Sequence, residues 1–276
     1  KDITFIPHFV DTKVFRPIDK EEAWKIIEEH FNFTKEKIEK IKERDPFIVN
    51  FVGENLSERK DIPRLMRAFK KFLNMVSVRH PKYKDRVFLQ LRTNVVPVSG
   101  TSFDIYLLAK KLGLDNNIIV IANKVPKHVL NALYNVSTVY ASASRGEGFG
   151  IPIIESMATG KPAILPDNSA HREHIVAYGK ELRGWLVKSN NEAEVLWTDS
   201  LQAYPVVDVN DFANKLYKVF LDWINGGQEI EAKSKNALYY AESLDKEKIL
   251  PQFDLLFKRL MYIWDLEEKE KGQKQN

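Results

Sequence analysis

A glycine-rich loop between two glutamates is the first feature of this sequence that could do chemistry. Glu147 and Glu155 enclose the loop residues Gly148, Phe149, Gly150, Ile151 and Pro152. Glycines let a backbone approach a ligand closely, and proline suits the first turn of a helix whose free N–H groups attract phosphate. A carboxylate repels phosphate but accepts hydrogen bonds from a vicinal diol. The spacing therefore suggests a ligand with sugars on either side of phosphates.

A second loop carries the positive charge that a diphosphate needs. Arg59 and Lys60 follow the first predicted strand, and both side chains can pair with phosphate oxygens. Other polar or glycine residues where predicted strands end are Gly53, Asn55, Thr93, Asn94 and Ser144. Each feature alone is also typical of an ordinary turn, helix start or solvated surface. Together, at one edge of a sheet, they favour a binding site.

These loops connect short apolar runs of sequence that alternate with helical patterns, and the resulting strands and helices would position the loops. The predicted strands are residues 47–52, 86–91, 117–121, 138–142, 162–165 and 184–187. The predicted helices between them are residues 63–75, 104–112, 127–134, 152–157 and 171–177. Such a pattern predicts an α/β fold, a doubly wound parallel sheet covered on both faces. In the commonest winding, strands one and four flank the point where strand order reverses, and ligands bind there.

The remaining segments extend this domain at both ends. Two further helices are predicted at residues 19–31 and 34–43, and residues 208–265 are mostly helical by pattern. The division predicted from the sequence is a connector at residues 1–17, a domain at 18–245, a C-terminal helix at 246–266 and a disordered tail at 267–276. The last helix carries a strong apolar stripe formed by Phe253, Leu256, Phe257, Leu260 and Trp264.

Composition excludes several classes of protein. The 276 residues contain no cysteine, which rules out disulfides, thiolate zinc sites and a cysteine nucleophile. A net charge of +4 does not indicate nucleic-acid binding. No apolar run approaches the ~18 residues of a membrane span, and residues 1–10 lack a signal-peptide layout. A cytoplasmic location is therefore expected, and association with a membrane surface is compatible with the sequence but not indicated by it.

Two histidines offer an alternative chemistry. His171 and His174 lie three positions apart around Glu173, which could mimic a metal-binding cluster. We favour a solvated helix start instead, because such pairs are commonly incidental. Serine hydrolase and dehydrogenase motifs are absent at the positions where their folds need them.

The residues from Glu147 to Glu155 resemble the Glu-x7-Glu motif of the GT-B retaining glycosyltransferases, in the large group 1 or GT4 family. The resemblance extends over residues 133–144 and 156–162, and residues 6–17 look like that family's interdomain junction. It covers roughly residues 4–190. It implies a Rossmann-like, donor-binding C-terminal GT-B domain that lacks its N-terminal acceptor domain in this chain.

The resemblance also implies roles for individual residues. Glu155 would bind the ribose, Glu147 would contact the donor sugar, and Lys60, helped by Arg59, would stabilise the departing diphosphate. Backbone groups of Phe149, Gly150 and Ile151 would lie against sugar and phosphate. Residues placed near the base or the donor pocket by the same resemblance are Asn123, Lys124, Val125 and Glu173. Transfer would retain anomeric configuration and need no metal or other cofactor.

Three positions depart from the family pattern. Glu54 stands where an arginine that binds phosphate is usual, so either Arg59 replaces that arginine or phosphate binds more weakly. Asp61 replaces the usual glycine after Lys60, and Phe9 replaces a small residue of the junction.

Three functions remain open at this stage. The first is glycosyl transfer from a UDP- or GDP-linked sugar to an unknown acceptor. The second is a nucleotide-sugar-binding module without turnover that needs a partner domain, and the third is a GT-B nucleotide-sugar epimerase.

Overall fold

The computed structural model describes residues 3–31, 35–55, 58–95, 103–122, 124–195 and 203–274. Its strands are β1 (Phe47–Val52), β2 (Val87–Arg92), β3 (Ile118–Ile121), β4 (Val139–Ala141), β5 (Ala163–Pro166), β6 (Val176–Ala177), β7 (Lys180–Glu181), β8 (Gly184–Val187), β9 (Ser189–Val195) and β10 (Ala203–Val207). Its α-helices are α1 (Lys20–His30), α2 (Lys35–Lys42), α3 (Ile62–Arg79), α4 (Ile105–Leu112), α5 (Lys127–Val136), α6 (Ile151–Ala158), α7 (Ser169–Ile175), α8 (Val209–Ile224), α9 (Gln228–Ser243) and α10 (Lys246–Lys274).

Six parallel strands form the main sheet in the order β3-β2-β1-β4-β5-β8. Each corresponds to one of the apolar runs predicted as a strand, and β1 lies between β2 and β4. The doubly wound α/β prediction is therefore confirmed, including the reversal of strand order between strands one and four.

Apolar side chains on both faces of the sheet explain this layering. All six residues of β1 are buried, which leaves no face of that strand for water. One face packs against α3 and α8 through residues such as Phe69, Phe72 and Phe220. The opposite face packs in two clusters, one containing Ile153 and Ile154 of α6 and the other containing Trp24 of α1. None of the described helices is long and apolar enough to cross a membrane.

The connector and the last helix touch each other. Val10 donates a backbone hydrogen bond to Leu244 and accepts one from Lys246, at 3.0 and 2.9 Å. Thr12 and Asp11 add side-chain bonds to Asp245 and Lys246. The start of α10 is thus tied to the segment that precedes α1, while the domain limits themselves stay a prediction.

The structure differs from the sequence predictions in four places. Two antiparallel hairpins, β6–β7 and β9–β10, were not predicted, because each strand is short or lacks a continuous apolar run. Helix α7 ends at Ile175, two residues before its predicted end, and β6 begins at Val176. Helix α10 continues to Lys274, although we expected an unstructured tail from residue 267. Alternating acidic and basic residues four apart favour helix in that stretch.

Candidate functional site

The loops that carry the predicted site residues meet where β1 and β4 end. The Arg59–Lys60 turn follows β1, and residues 142–150 follow β4. Arg145 N–H donates to the Arg59 carbonyl at 2.8 Å. Ser144 Oγ lies 3.2 Å from that same carbonyl oxygen and 3.1 Å from the carbonyl oxygen of Gly146. The two loops therefore form one site at the reversal of strand order.

Gly150 begins helix α6 in a conformation that favours glycine. Its φ is +88°, and a Cβ there would lie 2.6 Å from Ile153 Cδ1. No side chain caps this helix start, so its first N–H groups remain available to an acceptor. The exposed Ile151 and the Pro152 ring occupy the first turn. The helix start thus has the geometry of a phosphate site.

Glu147 lies between the two cations of the first loop. Its carboxylate accepts hydrogen bonds from Arg59 at 3.0 Å and from the Lys60 ammonium. Arg59 also donates to the Gly146 carbonyl at 2.7 Å. Burial alone would raise the pKa of Glu147, but the charges of Lys60 and Arg59 outweigh it and lower that pKa. The proposed sugar-binding carboxylate and the proposed phosphate-binding cations form a single ion-paired cluster.

Asp61, which stands where the family commonly has glycine, joins the two loops that carry this cluster. It adopts a left-handed φ of +42° just before α3, where glycine is the easiest residue to place. Its carboxylate accepts bonds from Arg145 and Arg64, both at 3.0 Å. Because Asp61 and Arg145 are both buried, this pair fixes the two site loops relative to each other.

Glu155 sits on α6 beside a buried tyrosine. Tyr134 donates to its carboxylate at 3.0 Å. Burial raises the pKa of Glu155 to about 7, and the tyrosine bond only partly offsets this. Burial, with the nearby Glu155 charge, also raises the pKa of Tyr134 well above its usual value. This carboxyl therefore changes protonation near neutral pH.

The polar residues at the ends of β1 and β2 are mostly occupied by structural bonds. The Asn55 amide donates to the carbonyls of Asn94 and Phe103 and accepts from Phe103 N–H. Gly53 N–H donates to Arg92 across the sheet. Thr93 is fully buried, and its hydroxyl has no partner among the described residues.

The histidines of α7 are buried rather than solvated, so that sequence expectation was wrong. His174 donates to the Phe149 carbonyl and accepts from Tyr240 OH, which fixes the glycine-rich loop against α9. His171 Nδ1 donates to Asn168 Oδ1 at 2.9 Å. Burial lowers the pKa of His171 to about 4, so it is neutral at pH 7. The described residues include no group of three or more potential metal ligands.

Other candidate residues lie outside these contacts. Glu173 and Lys124 have exposed side chains, and no described bond joins either to Glu147 or Glu155. Val125 packs on the α1–α5 cluster. Glu54 is exposed, and Asn123 lies outside the described residues.

Three further residues that position the site were assigned no site role from the sequence. They are His174, Asn168 and Ser169, and Ser169 Oγ accepts the Glu147 N–H at 3.1 Å. Their place directly after β5, at the same edge of the sheet, was the available signal.

Comparisons with known proteins show what this chain is similar to. The sequence profile described as glycosyl transferases group 1 matches residues 32–198, more than half of the chain. Sucrose-phosphate synthase of Thermosynechococcus elongatus has a similar fold, with a TM-score of 0.68 and 21% identity over 94% of this chain and 53% of that one.

Two further solved structures show the same likeness. HepE of Anabaena, in complex with UDP-glucose, has a TM-score of 0.65 and 17% identity over 93% of this chain and 57% of its own. The C-terminal domain of the group 1 family protein LpcC from Francisella tularensis has a TM-score of 0.54 and 17% identity, over 87% of this chain and 99% of that domain. The chain thus spans little more than half of the two longer proteins.

Proposed function

Because the chain belongs to the group 1 glycosyl transferases, we propose that it binds a nucleotide-diphosphate sugar where β1 and β4 end. It would supply the donor-binding half of a retaining, metal-independent glycosyl transfer. The observation that carries this proposal is the cluster of Lys60, Arg59 and Glu147 beside the uncapped start of α6. Positive charge, free N–H groups and a carboxylate there suit diphosphate and sugar together.

Each group has a task in breaking the bond between sugar and diphosphate. The ammonium of Lys60, the guanidinium of Arg59 and the start of α6 would stabilise the charge of the departing diphosphate. Glu147, freed from its ion pairs as the diphosphate engages both cations, would face the positive charge that develops on the sugar ring. Glu155 would hold the ribose through its two hydroxyls, in a position fixed by Tyr134.

The similar structures support two finer parts of the proposal. HepE was solved with UDP-glucose, so UDP-linked sugars are the first donors to test and GDP-linked sugars the second. The chain spans 53% of the synthase and 57% of HepE. We therefore propose that an acceptor-binding domain, absent from the residues described here, completes the active site.

Binding of UDP, GDP and UDP-glucose tests the donor site directly. We expect the matching nucleotide to raise the melting temperature of the chain, since a ligand of the folded state stabilises it. Lys60→Ala and Glu155→Ala should clearly reduce the rise, whereas the exposed controls Lys110→Ala and Glu242→Ala should keep it. No rise with any nucleotide or nucleotide sugar would disprove the donor site.

Product analysis then separates the competing functions. Transfer to an acceptor, or slow hydrolysis of the donor with the anomeric configuration retained, would support the transferase. Activity that persists in EDTA would support metal independence. Binding without turnover, even with a partner domain present, would indicate a binding module, and conversion of the bound sugar to its epimer would indicate an epimerase.

A further inference from the structure

The unpredicted hairpin β9–β10 brings one of its residues to the proposed donor site. Pro205, on β10, lines a cavity of about 420 Å³ beside Glu147. The other residues that line it are Arg59, Arg145, Gly146, Gly148, Asn168 and Ser169. Apart from Ser169, which begins α7, these residues belong to the loops that follow β1, β4 and β5. Pro205 is the described lining residue that comes from the hairpin.

The base of the hairpin is firmly packed, which gives that wall a defined position. Val206 and Val207, next to Pro205, are buried at 7% and 2% exposure, and Val207 belongs to the main core. Lys188 N–H, just before β9, donates to the Asp211 carboxylate at 2.8 Å. The strand register shifts between Tyr204 and Val206, so Pro205 sits at an irregularity where its missing N–H breaks no ladder bond.

Hydrogen bonds also connect the hairpin to the cluster around Glu147. Ser189, the first residue of β9, accepts from the Asn168 amide at 3.3 Å. Asn168 accepts from Ser169 Oγ at 3.0 Å, and Ser169 in turn accepts from Glu147 N–H. Ser169 holds a left-handed φ of +44°, a strained conformation for serine that needs this surrounding support.

The lining of the cavity combines polar side chains with one apolar ring, and a sugar can use both. Glu147, Asn168 and Ser169 present carboxylate, amide and hydroxyl groups that can bind ring hydroxyls. Pro205 presents an apolar ring on which C–H groups can pack. The volume lies within the ~300–1,000 Å³ that small-ligand sites occupy.

We infer that Pro205 is a specificity-determining residue that closes the side of the cavity taking the transferred glycosyl group. This inference rests on the proposed function, since it assumes that a nucleotide sugar binds at Lys60 and Glu155. The inference goes beyond the proposed function because Pro205 of β10, rather than the glycine-rich loop, would decide which sugars fit.

Filling the cavity from the hairpin tests this inference. Isothermal titration with UDP and with UDP-glucose would be compared for the parent chain, Pro205→Trp and the control Lys188→Trp, which adds the same bulk at an exposed neighbouring position. We expect Pro205→Trp to weaken UDP-glucose binding about ten-fold or more while UDP binding changes less than about two-fold, as for a clash confined to one subsite. Unchanged UDP binding also shows that the variant is folded.

A second variant enlarges the same wall. Pro205→Ala should improve binding of UDP-N-acetylglucosamine relative to UDP-glucose, because the added acetamido group needs room. GDP and GDP-linked sugars replace these probes if the chain prefers guanosine. Equal effects of Pro205→Trp on UDP and UDP-glucose, or no effect on either, would overturn the inference and leave the donor site intact. A parent chain that binds no nucleotide at all would overturn the proposed function, and this inference with it.

Discussion

In the proposed site, Glu147 and the diphosphate would compete for the same two cations. Its carboxylate holds both Lys60 and Arg59, and its own side chain is only 11% exposed. A diphosphate bound as proposed would have to replace these ion pairs. The strength of nucleotide binding would then depend on how tightly this carboxylate holds the cations.

Replacing Glu147 with glutamine should tighten UDP binding. The amide keeps the shape of the side chain but releases both cations, and a partly buried, charge-assisted hydrogen bond is worth about 1.5–3 kcal/mol. We expect UDP to bind about ten-fold more tightly, while turnover of UDP-glucose falls. Isothermal titration and donor hydrolysis measure the two effects. Weaker UDP binding in Glu147→Gln would show that Glu147 does not restrain the cations.

Glu155 should make nucleotide binding depend on pH. Its pKa is raised to about 7 by burial, so the carboxyl is mostly neutral at pH 6 and mostly ionised at pH 8. Only the carboxylate accepts hydrogen bonds from both ribose hydroxyls, so UDP affinity should rise by up to about ten-fold between these values. Titration of UDP across this pH range measures the change.

Two variants isolate the contribution of Glu155. With Glu155→Gln the UDP phosphates still titrate, but the carboxyl of residue 155 is absent. The part of the rise in UDP affinity that is due to Glu155 should therefore disappear. Tyr134→Phe removes a hydrogen bond that favours the carboxylate, so the midpoint should move to higher pH. A parent pH profile identical to that of Glu155→Gln would exclude this role.

At the scale of elements, the start of α3 and the loop after β4 are joined by Asp61 and Arg145. Asp61 also occupies a left-handed backbone position, which costs an ordinary side chain roughly 1–2 kcal/mol. The family that the sequence resembles commonly has glycine at this position. This chain has aspartate, and its two arginine partners offset the strain.

Substitutions at Asp61 should separate backbone strain from ion pairing. Asp61→Ala removes the carboxylate and keeps the strain, so it should lower the free energy of unfolding by about 3 kcal/mol or more, as for one partner of a buried ion pair. Asp61→Gly removes both and should be about 1 kcal/mol more stable than Asp61→Ala. Urea denaturation measures both values. Equal stabilities would show that φ at Asp61 carries no strain.

At the scale of the whole molecule, α10 presents a large apolar surface. Leu255, Met261 and Trp264 are 71%, 68% and 65% exposed, and Phe257 and Leu260 are also more than half exposed. Soluble monomers rarely expose contiguous apolar patches of this kind. The helix therefore offers a surface on which other apolar groups can pack.

We expect this chain to self-associate through α10. Leu260→Gln combined with Trp264→Gln should weaken association about ten-fold or more, because burying each side chain is worth about 1.5–3 kcal/mol. Sedimentation velocity over a concentration series measures the effect. Tyr239→Gln, which changes a still more exposed aromatic on α9, is the control and should leave association unchanged. A parent chain that stays monomeric at high concentration would contradict the prediction.

The sequence alone determined the six strands of the sheet, their alternation with helices and the loops that form the site. Strands that are buried on both faces have continuous apolar sequences. This pattern can be recognised without knowing which elements cover the strand. The close turn at Gly150 could be predicted in the same way, from residues within five positions of it, and its binding role stays a prediction. The glutamates at 147 and 155 were predicted by spacing within one loop and one helix.

Only the tertiary structure decided which of these residues meet. Lys60 and Glu147 are 87 positions apart, and their pairing depends on β1 lying next to β4. Burial of His174 depends on α9 and the glycine-rich loop packing around it. Pro205 reaches the cavity through a hairpin in which β9 is largely polar and β10 is short and contains a proline. A local pattern shows whether a side chain avoids water. Which distant group it contacts is settled by the packing of whole elements, because contacts across the sheet have no signature in neighbouring residues.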